Sequence, residues 1–291
     1  MSASATGPTP LTGGSDPSHV RLLLRVSYDG TDFSGWAAQP GRRTVAGVLT
    51  DTLDRVLRGV EGLTVAGRTD AGVHATGQVC HVEVPAAGWA RVGASLVPRL
   101  SGLLPADVRV YAAGEAPEGF DARFSALYRR YEYRVSDAPW GAPPLRHRDT
   151  LAWPRPLDLD RLTAAADGLT GHHDFAAFCK RKEHATTVRT LTRFAWRREP
   201  DGILVATVQA DAFCQAMVRS LVGALLAVGE GRREPAWPAA LLARRERADE
   251  VMVAPPHGLT LVEVAYPSDA DLAAQAELTR RRRDPVPPPG T

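Results

Sequence analysis

The chain has 291 residues, 44% of them hydrophobic and 23% charged, with a formal net charge of +2. That length suggests one large domain or two smaller ones, with ample apolar material for a core, and no apolar run approaches the roughly 18 residues that a membrane-spanning helix needs. The near-balanced charge neither demands nor excludes a nucleic-acid partner, because a basic groove can be offset by acidic surface elsewhere.

The first stretch, MSASATGPTPLTGGSDPS, lacks the basic region and apolar core of a secretion signal. It reads as a disordered tail over residues 1–18, and the chain as cytoplasmic. VRLLLRVSYDG alternates, with Val20, Leu22, Leu24 and Val26 on one face, which predicts a strand. GTDFSGWAAQPGRR reads as a loop with two exposed aromatics, Phe33 and Trp36. Thr44 is placed to cap a helix over 45–58, stopped by Gly59. The loop AGRTDAGVHATG follows, then a strand, GQVCHVEV, with Cys80, Val82 and Val84 on one side. A helix around 90–100 and the strand VRVYAAGEAP complete a first half.

The second half opens on ARFSALYRRYEYRVS, in which Tyr131, Tyr133 and Val135 alternate with Arg130, Glu132 and Arg134, again a strand. After an irregular connection, residues 159–169 read as a helix capped by Asp158. GHHDFAAFCKRKE reads as a compact loop or short helix. RTLTRFAWRRE, the turn PDG and ILVATVQA predict a hairpin, residues 213–229 a long helix, and GLTLVEVAYP the last strand. The hairpin argues for an antiparallel or mixed sheet rather than a doubly wound parallel one. The expected organisation is two halves, 19–115 and 116–267, followed by a disordered tail over 268–291.

The three cysteines, Cys80, Cys179 and Cys214, show no CxxC spacing and fit a reducing compartment better than a disulfide scaffold or a zinc site. Lys180 and Lys182 are the only lysines. Codon bias accounts for this simply, although arginine also suits phosphate contacts and base stacking.

Few residues offer chemistry. FCQAMVRSLVGALLAVG is apolar nearly all round, so Arg219 at its middle needs a partner or a route to the surface. It either ties a structural ion pair or holds a carboxylate in a site. Asp70 is the natural carboxylate, although a glycine-flanked aspartate also serves turns by bonding its own backbone. GRTDAG lacks the GxxxxGK[ST] and GxGxxG patterns of phosphate-cradling loops. No HExxH, GxSxG or Cys/His pairing accompanies it, and the histidine pair His172–His173 and His184 have no metal-ligand partners. His74 and His81 read as satisfied structural residues or RNA contacts. One TDAG string without a second copy does not make an aspartic protease. Tyr131 on its strand is by default a core aromatic with a satisfied hydroxyl.

Taken together, these strings resemble one family. AGRTDAGVHATGQV is similar to the active-site signature of the TruA family of tRNA pseudouridine synthases. SYDGTDFSGWAAQP, TVAGVL, ARFSALYRRYEYRV, HHDFAAF, MVRSLVGALLAVGEG and APPHGLTLVEVAY follow in the family's order, from about Val20 to Tyr266. The chain departs from the pattern just before MVR, where it reads FCQA and the family has a bulkier, His-containing stretch.

The resemblance implies an α+β fold, with a mixed, largely antiparallel sheet flanked by helices and two similarly built halves around the site. It implies conversion of uridine to pseudouridine in the anticodon stem-loop of tRNA, at tRNA positions 38, 39 and 40, by an isomerase that uses no cofactor and no metal and acts as a homodimer. By the same likeness Asp70 is the catalytic aspartate, an ionised carboxylate in a water-poor pocket, and Arg219 its arginine partner. Tyr131 stacks on the target base and helps a proton leave C5, Leu259 packs against that base, and Arg68 fills the space the base vacates in the RNA. Other classes are an RNA-binding module without activity, a relative acting on other RNA, and a hydrolase using Asp70. The last lacks a second carboxylate or an activated Ser or Cys.

Overall fold

The computed structural model of the chain describes residues 18–180 and 186–281. Residues 1–17 and 282–291 of the two expected tails, together with Lys182 and His184, lie outside the described residues.

Among the described residues, ten strands form one sheet: β1 (His19–Tyr28), β2 (Glu61–Val65), β3 (His74–Pro85), β4 (Val108–Glu115), β5 (Tyr128–Ser136), β6 (Leu151–Ala152), β7 (Gly171–Asp174), β8 (Val188–Arg198), β9 (Leu204–Ala210) and β10 (Leu259–Ala265). Their order is β4-β1-β3-β10-β5-β9-β8-β7, with β2 beside β3 and β6 beside β5. Pairing is antiparallel except between β3 and β10 and between β5 and β6. The helices are α1 (Val45–Leu57), α2 (Ala86–Val92), α3 (Leu96–Leu103), α4 (Leu159–Asp167), α5 (Met217–Gly229), α6 (Trp237–Ala240) and α7 (Leu272–Arg280). This is the mixed, largely antiparallel α+β arrangement that the strings imply.

The alternation of the strands separates a core face from a wet one. Leu22, Leu24 and Val26 on β1, and Tyr133 and Val135 on β5, are fully buried in one continuous core. The intervening positions carry ion pairs between neighbouring strands, such as Arg21–Glu83 and Arg130–Glu263.

Several elements differ from the sequence expectation for identifiable reasons. Phe33 and Trp36 are not exposed but 3% accessible each, packed under the loop that carries Asp70. The helix around 90–100 is two short helices, broken where Gly93 turns to φ 42°. The left-handed residue that ends α1 is Arg58, at φ 62°, one position before Gly59. The start of GHHDFAAF is strand β7, which pairs with β8, before a short helical turn over Ala176–Phe178. The long helix begins at Met217 rather than residue 213, because Ala216 adopts a left-handed φ of 64°. Within the expected C-terminal tail, α7 is folded and buries Leu272 and Ala276.

The cysteine expectation is corrected too. Cys179 and Cys214, 35 residues apart, are paired as a disulfide with their Cα atoms 5.7 Å apart. The turn after β7 and the loop after β9 meet in space, which residue spacing does not reveal. Cys80 is free and buried, and burial pushes its thiol up to about 12.

One feature of the sheet positions the site. β3 and β10 run parallel, with Thr260 opposite His74 and Leu261 opposite Ala75. Parallel neighbours start at the same end, so the Asp70 loop feeding β3 and the Pro255–Gly258 turn feeding β10 lie side by side. Imidazole His74 links them: its Nδ1 accepts from the Gly30 N–H at 3.0 Å, and its Nε2 lies 3.0 Å from the His257 carbonyl.

Candidate active site

The Asp70 loop is held almost residue by residue. Gln78 Nε2 donates to the Gly67 carbonyl at 2.9 Å and to the Tyr28 hydroxyl at 3.1 Å, and that hydroxyl meets Thr69 Oγ1 at 2.8 Å. The Trp36 N–H donates to the Thr69 carbonyl at 3.0 Å, and Val73 N–H to the Asp70 carbonyl at 3.2 Å. Gly35 can pass beneath only because it lacks a side chain: at φ 90°, a Cβ there would lie 2.9 Å from the Thr69 carbonyl oxygen. The buried aromatics Phe33 and Trp36 thus support the Asp70 loop instead of facing solvent.

Arg219 reaches this loop from the first turn of α5. Every residue of α5 except Arg219 is buried. Its Nη1 lies 3.7 Å from Asp70 Oδ2, and its Nε donates to the Ala254 carbonyl at 2.7 Å. The Ala254 N–H in turn donates to the Arg219 carbonyl at 3.0 Å. Both sequence readings therefore hold part of the answer. One edge of the guanidinium fixes the segment that leads to Leu259, and the other faces the carboxylate. The Asp70 side chain keeps 37% of its surface exposed.

Tyr131 stands on β5 opposite Leu261 of β10 and Val208 of β9. It is 7% exposed, and the Phe213 ring meets it edge-on with centroids 5.2 Å apart, which fixes the plane of the phenol. Burial pushes its hydroxyl up to about 12, while Arg129 pulls the other way. Leu259 begins β10 and is 5% exposed. The structure brings Asp70, Tyr131, Arg219, Leu259 and the exposed Arg68 to one cleft of 2420 Å³. Among the described residues, nine Lys or Arg side chains line this cleft against three Asp or Glu, so the modest net charge of the chain conceals a cationic groove.

Residue patterns do not single out Arg129, which is 6% exposed and bonded to the Ala66 carbonyl beside the Asp70 loop. An arginine at a core-facing position of β5, in phase with Tyr131 and Tyr133, was the available signal. His74 and His81 are satisfied structural residues: His81 Nδ1 accepts from the Ala122 N–H at 2.9 Å. Among the described residues, no group of three or more His, Cys, Asp or Glu side chains could hold a metal ion.

An aspartate faced by an arginine, with a buried tyrosine in the same basic cleft, is an arrangement that suits an RNA-modifying isomerase. Residues 165–267 match the family model described as tRNA pseudouridine synthase. Across nearly the whole chain, a protein of Frankia casuarinae named tRNA pseudouridine synthase A is 61% identical, over 93% of this chain and 98% of its own length. Proteins of the same name from Streptomyces griseus and Mycobacterium leprae are 57% and 50% identical, over 92% and 91% of this chain and 95% and 96% of their own lengths. The chain belongs to the TruA family of tRNA pseudouridine synthases.

Proposed function

We propose that the protein isomerises uridine to pseudouridine in the anticodon stem-loop of tRNA, with Asp70 as its catalytic carboxylate. The approach of Arg219 Nη1 to within 3.7 Å of Asp70 Oδ2 on the cleft wall carries this reading. The chemistry needs one carboxylate: the C1′–N1 bond breaks, the base turns, C5 bonds to C1′, the C5 proton leaves and N1 regains a proton. Nothing is oxidised or hydrolysed. Asp70 serves either by adding to C1′ or by removing the 2′ proton to give a glycal. Arg219 orients the carboxylate through their ion pair, 3.7 Å between Nη1 and Oδ2.

The target nucleotide leaves the helical stack to enter the cleft. Tyr131 and Leu259 then lie on its base, the Tyr131 hydroxyl takes part in losing the C5 proton, and the Arg68 guanidinium fills the vacated place in the RNA. The basic lining favours the phosphate backbone. The protein works as a homodimer in the cytoplasm, with its cleft shaped by both subunits.

The test is release of tritium from unmodified tRNA transcript labelled at uridine C5. Release of label, with pseudouridine mapped in the anticodon arm, supports the reading. Tight tRNA binding without release identifies a non-catalytic RNA-binding protein instead. Release from other RNAs alone moves the substrate to that class.

A further inference from the structure

Arg129 is a buried charge that the reading above leaves without a task. A guanidinium taken out of water needs compensation, yet among the described residues no carboxylate lies within ion-pair distance of it. Its bonds go to three backbone carbonyls: Nη1 donates to Asp211 at 2.8 Å, and Nη2 to Ala66 at 2.7 Å and Arg123 at 2.6 Å. Carbonyl oxygens satisfy the donors but do not neutralise the charge.

The three carbonyls belong to three different segments. Ala66 opens the loop that carries Asp70. Asp211 opens the loop that carries Phe213, the neighbour of Tyr131, and leads into α5 and Arg219. Arg123 lies in the turn before β5. Arg129 and Tyr131 are two apart on β5 and so share a face. The loop backbone packs directly onto both: a Cβ at Gly67 would lie 3.8 Å from the Tyr131 hydroxyl and 4.0 Å from Arg129 Cγ.

We propose that Arg129 is a positioning residue for the isomerisation: its planar fork pins the Asp70 segment and the segment leading to Arg219 against β5. This rests on Asp70 being the catalytic carboxylate. One consequence separates it from a merely structural arginine. Losing the fork lets Asp70 shift against Arg219, so turnover falls while tRNA affinity, set by the exposed basic lining, holds. A lysine keeps the charge but cannot reach all three carbonyls.

The experiment compares the full-length wild type, Arg129→Met and Arg129→Lys by tritium release at saturating transcript, by tRNA affinity, and by thermal melting. For Arg129→Met we expect a turnover loss of about 100-fold and an affinity within about threefold of wild type. For Arg129→Lys we expect a turnover loss of about tenfold with wild-type affinity. Arg129→Met turning over within about threefold of wild type, or an affinity loss that matches its rate loss, overturns the proposal. Should Arg129→Met not fold, Arg129→Lys decides alone, and wild-type turnover from it overturns the proposal. Failure of both to fold assigns Arg129 to stability only and overturns it as well. Absence of release from the wild type instead overturns the reading of the site itself.

Discussion

Arg219 divides its guanidinium between two partners: Nε is committed to the Ala254 carbonyl at 2.7 Å, and Nη1 faces Asp70 Oδ2 at 3.7 Å. The anchored edge limits where the free edge can go. The arginine therefore orients the carboxylate only as well as the segment before β10 holds the arginine. Arg219→Leu removes both contacts and is expected to lower turnover at least about 100-fold, with a stability loss of about 2 kcal/mol from the unpaired carbonyl. Arg219→Lys, which cannot span both partners, is expected to retain folding but not turnover. Tritium release and thermal melting check this. Wild-type turnover from either variant would leave Arg219 a purely structural residue.

His81 gives the fold an acid-sensitive point far from the chemistry. The ring is 5% exposed and accepts from the Ala122 N–H, so burial, aided by Arg21 and opposed by Asp121 and Glu83, pushes it down to about 4 from 6.5. The unfolded chain binds the proton first as pH falls. The stability from the neutral ring is therefore complete above 6.5 and lost as pH drops through about 4. This amounts to up to about 3 kcal/mol. In urea melts at a series of pH values, His81→Gln should fall less steeply than wild type across that window. Parallel curves would contradict the assignment.

The Cys179–Cys214 disulfide closes a loop of 35 residues. Chain-entropy reasoning gives such a cross-link about 3 to 4 kcal/mol of stabilisation. Adding dithiothreitol should lower the melting temperature of the wild type and leave Cys214→Ser unaffected. An equal response from both would mean that the pair does not contribute.

The cationic cleft predicts salt-dependent binding. With about four phosphate contacts to single-stranded RNA, affinity should fall roughly 50-fold between about 50 and 200 mM salt, and Arg68→Gln should reduce the log–log slope by about 0.7. Binding by salt titration measures both. A flat dependence would contradict phosphate recognition in the cleft.

How much of this was legible beforehand depended on what kind of signal each residue leaves. Strand alternation exposed β1 and β5, because period two survives in the sequence wherever one face is buried, and the turn PDG between two apolar-rich runs exposed the β8–β9 hairpin. The resemblance carried by AGRTDAGVHATGQV drew attention to Asp70, and the apolar helix to Arg219, while the residues alone left a structural role open for both. What escaped was set by contacts between distant segments. Phe33 and Trp36 sit in a polar loop and gave no sign that the Asp70 loop would cover them. Ala216 looks like an ordinary helical residue, yet its left-handed backbone moves the start of α5 to Met217 and puts Arg219 in the first turn. The Cys179–Cys214 pair and the three carbonyls around Arg129 exist only once β7, β9 and the Asp70 loop have converged.

The account turns on Asp70, and one comparison tests it most directly: pseudouridine mapping of tRNA incubated with wild-type protein and with Asp70→Asn, alongside tRNA affinity for both. The account predicts modification in the anticodon arm by the wild type, none by Asp70→Asn, and affinities within about threefold of each other, since the substitution removes a charge the reaction needs but no contact the RNA backbone needs. Pseudouridine formed at the wild-type rate by Asp70→Asn would contradict it.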